Sequence, residues 1–300
     1  MVCTHNDGSY WNKLIALGIT PHDLVLRKLS LSTLFKLLNI LRKEKPDLIH
    51  THGKGPGLYG RLLGWMLGIP VVHTFHGFQH KLLPVVQRWF YLFVENVLTL
   101  LTRHHIFVGN GEKNKAKVLM FLNDSNSSVV NNGIDLDSIQ ALPPAEEVLA
   151  SLKLGPRESI KIFGTLSRVS PEKGLDILLE GFVEAAKRAP YIRLLVIGDC
   201  PGEHEKYIKM ITQYIHENGL DDAVKILGAR EDALEILKSI DFYISPSRSE
   251  GLPYNLLEAL AVGKPVMATD IPGNNDIIRK SVEGILVPVN SARTLAHGIL

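Results

Sequence analysis

Short apolar runs alternate with stretches of helical apolar spacing along most of the chain. The run PDLIHTH at 46–52 predicts a strand, and GLYGRLLGWMLG at 57–68 has apolar residues at helical spacing. The same reasoning predicts further strands at 69–76, 104–110, 160–166, 191–199, 224–228, 241–247 and 265–270. It predicts further helices at 84–102, 111–122, 174–188, 203–218, 231–239 and 253–262, and a turn at 123–128.

Strands and helices in this order are typical of βαβ units, so we expect an α/β fold with parallel sheets flanked by helices. The loops after such strands lie at one edge of the sheet, where ligands bind. The alternation stops at 137–158, where a Pro-Pro pair lies in acidic, Ala-rich sequence typical of a connector. We therefore predict an N-terminal domain at 1–140, a linker at 141–157 and a C-terminal domain at 158–300.

The amino-acid composition is that of an ordinary globular protein and excludes several other classes. Hydrophobic residues make up 45% of the 300 and charged residues 21%, which excludes collagen-like and disordered chains. Cys3 and Cys200 are the only cysteines, too few for a disulfide framework or a Cys-rich zinc site, and this usage favours a cytoplasmic location. The longest strictly apolar run, WFYLFV at 89–94, is far shorter than the roughly 20 residues of a membrane span. We find no signal-peptide pattern at the start of the sequence.

Charge is distributed unevenly. Residues 1–140 carry 15 Lys and Arg against 9 Asp and Glu, whereas residues 141–300 carry 18 against 22. A basic first half suits an anionic partner or membrane surface, although scattered surface charge also explains it. No nucleic-acid-binding motif is present, so we expect no nucleic acid partner. The apolar stretch at 81–105 carries basic residues at intervals and is either a core helix or a helix at an anionic membrane surface.

The segment SPSRSEGLPYNLLEALAVGKPVMATDIPG at 245–273 carries the most specific chemistry. Glu250 lies in a loop after a predicted strand, and Glu258 lies on a helix that starts near Pro253. The N–H groups of a helix start can hold a phosphate, Gly251 allows close approach of the backbone, and carboxylates accept hydrogen bonds from sugar hydroxyls. Two solvated surface glutamates are the alternative interpretation.

This segment resembles the retaining nucleotide-sugar glycosyltransferases of the GT-B fold, often called group 1 or family 4. Their signature has two glutamates separated by seven residues and followed by Gly-x-Pro-Val, as in Glu250, Glu258 and GKPV at 263–266. Other segments resemble the family in the same order, namely 53–77, 130–135, 164–182, 194–199 and 227–247. The resemblance implies two Rossmann-like domains with a cleft between them. It begins after the family's first strand and Gly-rich loop and stops before its closing helices, so we expect this chain to lack both.

The resemblance also implies roles for individual residues. Arg168 and Lys173 are expected to neutralise the diphosphate, Glu250 to contact the transferred sugar and Glu258 to hold the ribose hydroxyls. Backbone N–H groups near Asn255 and Leu256 are expected to face the phosphates, and Arg230 to line the base pocket. The donor-binding set is Gly164, Arg168, Lys173, Arg230, Glu250, Gly251, Leu252, Asn255, Leu256 and Glu258. The catalytic set is His76, Arg168, Lys173 and Glu250.

Seven of the twelve histidines lie between residues 50 and 105: His50, His52, His73, His76, His80, His104 and His105. Imidazoles at this spacing can bind zinc, but no carboxylate or thiol nearby in sequence completes a site, so we predict no metal. The family resemblance implies that His76 reaches the reacting sugar, whereas the strand alternation turns His73 to the other face. GKGPGLYG at 53–60 does not have the dinucleotide-binding spacing.

The resemblance therefore implies a retaining glycosyltransferase that uses a UDP- or GDP-sugar, with no cofactor. The expected acceptor is a saccharide or lipid-linked hydroxyl in the synthesis of cell-surface polysaccharide or glycolipid. A peripheral position on the inner face of the plasma membrane would suit a lipid-linked acceptor. The alternative is a non-catalytic sugar-nucleotide-binding fragment, or a subunit that needs a partner chain.

Overall fold

The computed structural model describes residues 1–3, 10–26, 29–77, 84–200, 202–279 and 282–300. The chain forms two compact units, one made of Met1–Val108 with Lys113–Val130 and the other of Gly109–Glu112 with Asn131–Leu300. His80 and the first residues of the apolar stretch at 81–105 lie outside the described residues. In the described part of the chain, no helix combines the length and the apolar character needed to cross a membrane.

The first unit contains a parallel sheet of four described strands flanked by helices, with strand order β3-β4-β5-β6. A separate parallel pair, β1 and β2, lies near the start of the chain. The strands are β1 (Val2–Cys3), β2 (His22–Asp23), β3 (Ile49–His52), β4 (Val71–Phe75), β5 (His104–Phe107) and β6 (Ser127–Val129). The helices are α1 (Tyr10–Ala16), α2 (Leu31–Glu44), α3 (Lys54–Leu67), α4 (Val85–Leu100) and α5 (Asn110–Leu119).

Helix α3 lies unusually close to the sheet of the first unit. A Cβ atom at Gly60 would lie 2.3 Å from Cγ2 of Thr51, and one at Gly64 would lie 2.3 Å from Cγ2 of Val71. Any larger residue at these positions would push the helix off β3 and β4. The glycine spacing of this segment therefore serves helix–sheet packing.

The second unit is built around a parallel sheet of six described strands, in the order β12-β11-β10-β7-β8-β9. The strands are β7 (Lys161–Leu166), β8 (Ile192–Ile197), β9 (Val224–Gly228), β10 (Phe242–Ser245), β11 (Val266–Thr269) and β12 (Gly284–Val287). The helices are α6 (Leu136–Ala141), α7 (Glu146–Ser151), α8 (Leu175–Arg188), α9 (Glu205–Glu217), α10 (Ala233–Ser239), α11 (Tyr254–Ala261) and α12 (Ala292–Ile299).

Strand β8 shows why both faces of this sheet are covered. Its side chains alternate between two hydrophobic cores, with Leu194 and Val196 in one and Leu195 and Ile197 in the other. All four residues are at most 2% exposed. Because both faces of the strand are buried, its sequence at 194–197 is a continuous apolar run rather than an alternation of apolar and polar residues. Helices α8, α9 and α12 supply the first core, and α10 and α11 supply the second.

The predicted α/β class with parallel sheets flanked by helices is confirmed. Four strands of the structure, β1, β2, β6 and β12, are not among those predicted from the sequence. Strand β6 lies partly inside the predicted turn at 123–128, and its sequence SSV has too few apolar residues to be recognised. Strand β12 is an edge strand that pairs with β11 alone. The region predicted as a connector contains α6 and α7, and Val148 and Leu149 of α7 pack on the core of the second unit.

Candidate active site

The loops that follow β7, β8 and β10 meet at the carboxyl edge of the second sheet. Gly174 has φ +69° and Gly198 has φ +141°. Residues other than glycine rarely adopt these positive backbone angles. A Cβ atom at Gly174 would lie 2.2 Å from the carbonyl oxygen of Pro246, and one at Gly198 would lie 1.9 Å from that of Ser167. The two glycines thus let backbone from three strand ends approach closely.

Lys173 and Glu250 form an ion pair at this edge. Nζ of Lys173 lies 2.6 Å from Oε1 of Glu250, and the Ser247 hydroxyl donates to the same oxygen at 2.7 Å. The side chains of Lys173 and Glu250 are only 16% and 9% exposed, so water screens the pair weakly. The family resemblance assigns these residues to different parts of the donor, and the sequence motif predicts neither their contact nor the part of Ser247.

Arg168 supplies a second cation from the loop after β7. Its Nη2 lies 3.7 Å from Oε1 of Glu172, and its side chain is 57% exposed. This is a loose surface contact of the kind that contributes little to stability. The guanidinium can therefore turn to an incoming anion at small cost.

The start of α11 is tied to the end of β7. Nδ2 of Asn255 donates to the carbonyl oxygen of Leu166, and the backbone N–H of Leu256 donates to Oδ1 of Asn255 at 2.9 Å. The Leu256 N–H, one of the groups expected to face a phosphate, is therefore already bound to the Asn255 side chain, and a phosphate that accepts from this N–H would have to displace the Asn255 oxygen. Gly251 and Leu252, in the loop just before α11, are buried.

Glu258 lies one turn further along α11 and is half-buried. Burial raises the pKa of its carboxyl group above the ordinary value. Burial also raises the pKa of the fully buried Tyr243 phenol, and the charges of Glu250 and Glu258 raise it further. The negative charges of Glu250 and Glu258 thus both act on the phenol of Tyr243.

Two predicted donor-binding residues lie apart from this cluster. Gly164 lies within β7, where a Cβ atom would lie 2.6 Å from Cδ1 of Ile240, so the absence of a side chain there serves packing. Arg230 follows β9 and forms a two-point ion pair with Asp232, with Nε–Oδ1 at 2.7 Å and Nη2–Oδ2 at 2.8 Å. Contacts of either residue with a donor stay predictions.

The first unit has its own polar cluster at the carboxyl ends of β3 and β4. Nδ1 of His52 lies 2.9 Å from Nε2 of His76, and Nε2 of His50 lies 2.8 Å from Oγ1 of Thr74. Burial, and then the charge of His50, lowers the pKa of His76. Within the described residues, no group of three or more His, Cys, Asp or Glu side chains is arranged to hold a metal ion.

His73 lies on the other face of β4 and is 1% exposed. Its Nδ1 lies 2.8 Å from Oγ1 of Thr51. Burial, and then the charges of Arg61 and His105, lowers the pKa of His73 to about 2. His73 is therefore neutral and structural at physiological pH.

Two family models match the chain. The model described as glycosyl transferases group 1 matches residues 160–300, and that described as Glycosyltransferase Family 4 matches residues 2–138. Together they cover almost the whole sequence, in the order in which the two units occur.

Two similar proteins have names that describe the transfer or synthesis of sugar-containing products. The chain is 29% identical over 282 residues to the Escherichia coli UDP-Gal:alpha-D-GlcNAc-diphosphoundecaprenol alpha-1,3-galactosyltransferase, a match that covers 90% of this chain and 70% of that protein. It is 28% identical over 261 residues to the alpha-monoglucosyldiacylglycerol synthase of Streptococcus pneumoniae, covering 84% of this chain and 58% of that protein.

Solved structures share the fold. Anabaena Alr3699/HepE in complex with UDP-glucose has a TM-score of 0.82 at 21% identity, covering 98% of this chain and 79% of that chain. A glycosyltransferase from Rickettsia africae ESF-5 has a TM-score of 0.79 at 21% identity, covering 99% of this chain and 78% of that chain. The likeness supports the predicted GT-B fold.

Proposed function

The chain belongs to the group 1 glycosyltransferases, and we propose that it transfers a sugar from a nucleoside diphosphate sugar to an acceptor hydroxyl. The observation that carries this proposal is the largely buried Lys173–Glu250 ion pair. The exposed Arg168 lies on the same loop as Lys173, after β7. A cation paired with a carboxylate at a sheet edge can receive a ligand that carries both phosphates and hydroxyl groups.

The proposed donor is a UDP-sugar, with a GDP-sugar as the alternative. Arg168 and Lys173 hold the diphosphate, Glu250 accepts hydrogen bonds from the transferred sugar and Glu258 accepts them from the ribose. The preference for uridine rests on the names of similar proteins, since one relative uses UDP-Gal and one structural neighbour was solved with UDP-glucose. Two side-chain cations would neutralise the diphosphate, so the proposed transfer needs no metal.

Transfer is proposed to retain the configuration at the anomeric carbon. The acceptor oxygen bonds to that carbon on the face from which the diphosphate leaves, the carbon–oxygen bond to the diphosphate breaks, and the acceptor proton passes to the leaving phosphate oxygen. Charge grows on the diphosphate during this step, and the proposed role of Arg168 and Lys173 is to stabilise it. Contact of His76 with the sugar stays a prediction.

The proposed acceptor is a lipid-linked or saccharide hydroxyl, reached at a membrane surface. Helix α4 exposes Val86 at 80%, Trp89 at 67% and Phe93 at 67%, with Arg88 beside them. An exposed apolar face with an adjacent cation suits the interface of an anionic bilayer. The names of two relatives refer to a diphosphoundecaprenol and a diacylglycerol product.

The test is a transfer assay with the full chain, UDP-galactose or UDP-glucose, and lipid extract as acceptor. The proposal expects UDP release and a glycosylated lipid by mass spectrometry, both lost in Lys173→Ala. Saturable UDP binding without transfer would instead support the non-catalytic alternative. Absence of both binding and transfer with UDP- and GDP-sugars would overturn the proposed function.

A further inference from the structure

Arg248 joins the two loops that carry the Lys173–Glu250 pair. Its backbone N–H donates to the carbonyl oxygen of Glu172 at 2.8 Å, and its Nη1 donates to that of Pro171 at 2.5 Å. Glu172 directly precedes Lys173, and Arg248 lies two residues before Glu250. Lys173 therefore lies within two residues of the carbonyl groups that Arg248 binds, and Glu250 lies two residues after Arg248 itself.

Asp176, in the first turn of α8, fixes the guanidinium of Arg248. Nη1 and Nη2 donate to Oδ1 and Oδ2 of Asp176 at 2.8 and 2.7 Å, a two-point contact. The Tyr207 hydroxyl of α9 donates to Oδ1 at 2.8 Å and accepts from the backbone N–H of Asp176 at 3.1 Å. Nε of Arg248 donates to Oδ1 of Asn290 at 2.7 Å.

We propose that Arg248 is a positioning residue that holds the side chains of Lys173 and Glu250 in the relative position needed to bind the donor diphosphate and sugar. This inference rests on the proposed function. Arg248 need not touch the donor, because its contacts run to Pro171, Glu172, Asp176 and Asn290. Through them it fixes the loop after β7 relative to the loop after β10.

Arginine suits this position because its guanidinium has several donors. Nη1 and Nη2 of the planar guanidinium donate to the Asp176 carboxylate, and Nε remains available to donate to Asn290. Lysine keeps the charge but offers one ammonium group, which cannot reproduce the two-point contact. The conservative substitution Arg248→Lys therefore separates the fixed geometry from the charge alone.

The chain offers a matched control. Arg157 pairs with Asp241 through Nη2 and Oδ1 at 2.7 Å, but these residues lie at the amino end of the same sheet, before β7 and β10. Arg157→Gln removes an Arg–Asp pair of the same unit without touching either loop. A general loss of stability would affect both variants, whereas a positioning role affects Arg248→Gln alone.

The first readout needs no donor. Acetylation of Lys173 by acetic anhydride is timed by peptide mass spectrometry in wild type, Arg248→Gln and Arg157→Gln. We expect a rate about tenfold higher in Arg248→Gln, since releasing the loop frees the amine from Glu250. An unchanged rate, or an equal rise in Arg157→Gln, would overturn the proposal. If Arg248→Gln does not fold, Arg248→Lys takes its place.

The second readout is UDP binding by calorimetry with the same variants. We expect binding about tenfold weaker in Arg248→Gln and in Arg248→Lys, and unchanged in Arg157→Gln. Unaltered affinity in both Arg248 variants would contradict the positioning role while leaving the proposed function intact. A wild-type chain that binds neither UDP nor GDP would overturn the proposed function, and acetylation would still decide whether Arg248 holds Lys173.

Discussion

Nζ of Lys173 lies 2.6 Å from Oε1 of Glu250, although 77 residues separate them in the sequence. The contact joins the loop after β7 to the loop after β10, at the sheet edge where the motif residues of the second unit gather. A carboxylate beside the cation holds Lys173 in place before any anion binds. A sugar diphosphate would then exchange this internal partner for its own phosphate and hydroxyl groups.

Lys173→Ala should lower kcat at least about 100-fold, since it removes a cation from the leaving diphosphate. Steady-state kinetics with saturating donor measure the effect. Lys209→Ala is the matched control, because Lys209 pairs with Glu205 at 2.6 Å on the exposed face of α9. Comparable rates for wild type and Lys173→Ala would remove Lys173 from the reaction.

Glu258→Gln should change stability and binding in opposite directions. Burial raises the pKa of Glu258, so the ionised carboxylate is unfavourable in the folded chain at pH 7. The glutamine variant should therefore have a higher free energy of unfolding at pH 7. This advantage should shrink as the pH falls below the raised pKa of Glu258, because the folded wild-type chain then holds this carboxyl group in its neutral form.

UDP binding should nevertheless weaken about tenfold in Glu258→Gln, because an amide is a weaker acceptor than a carboxylate for two ribose hydroxyls. Denaturant titrations at pH 7 and pH 5, with calorimetry for UDP, measure the two effects. A variant that gains stability and binds UDP like wild type would assign Glu258 to the fold alone.

Gly174→Ala should destabilise the chain far more than Gly219→Ala. Both glycines have positive φ, +69° and +65°, so both substitutions strain the backbone. A Cβ atom at Gly174 would also lie 2.2 Å from the Pro246 carbonyl oxygen, whereas nothing lies within 4 Å at Gly219. We expect about 1 kcal/mol for Gly219→Ala and at least about 3 kcal/mol for Gly174→Ala, measured by urea unfolding. Equal losses would show that the loops can separate freely.

Most strands and helices between residues 46 and 270 were predictable because most of the strands there are short apolar runs. Predicted strands at 160–166 and 191–199 correspond to β7 and β8. Strand β6 was not predictable, since its hydroxyl side chains at a sheet edge resemble turn sequence. The motif indicated that Lys173 and Glu250 belong to one site. Their contact, and the Arg248–Asp176 pair across 72 residues, depend on how loops of distant strands meet.

Acid should destabilise the chain through buried histidines of the first unit. Burial, followed by the charge of Arg61, lowers the pKa of His73 to about 2 and that of His105 to about 4. Both remain neutral when folded, but they gain protons on unfolding below about pH 6.5. The free energy of unfolding should therefore fall with pH from 6.5 towards 4, by up to about 1.4 kcal/mol per pH unit for each histidine.

Denaturant titrations between pH 7 and pH 4.5 measure this slope. His105→Gln should reduce it, whereas His216→Gln should not, because the His216 side chain is 80% exposed. A slope that is the same in His105→Gln and wild type would show that His105 does not contribute. The buried Glu95, which pairs with Arg61 at 2.9 Å, is present in both variants.

The double substitution Trp89→Ser, Phe93→Ser should weaken sedimentation with vesicles that contain anionic lipid. Both rings are 67% exposed on α4, so their removal should leave the fold intact while deleting apolar contact with the bilayer. Met210→Ser, at a half-exposed position of α9, is the control. Equal sedimentation of wild type and the double variant would place membrane contact elsewhere or exclude it.

Calorimetric titration of the full chain with UDP and GDP is the decisive test of the proposed donor site, because it needs no knowledge of the acceptor. We expect saturable binding of one nucleotide by wild type, and binding at least about tenfold weaker in Lys173→Ala. Lys209→Ala should bind like wild type. Absence of binding of either nucleotide, or equal binding by wild type and Lys173→Ala, would contradict a nucleoside diphosphate site at the carboxyl edge of the second sheet.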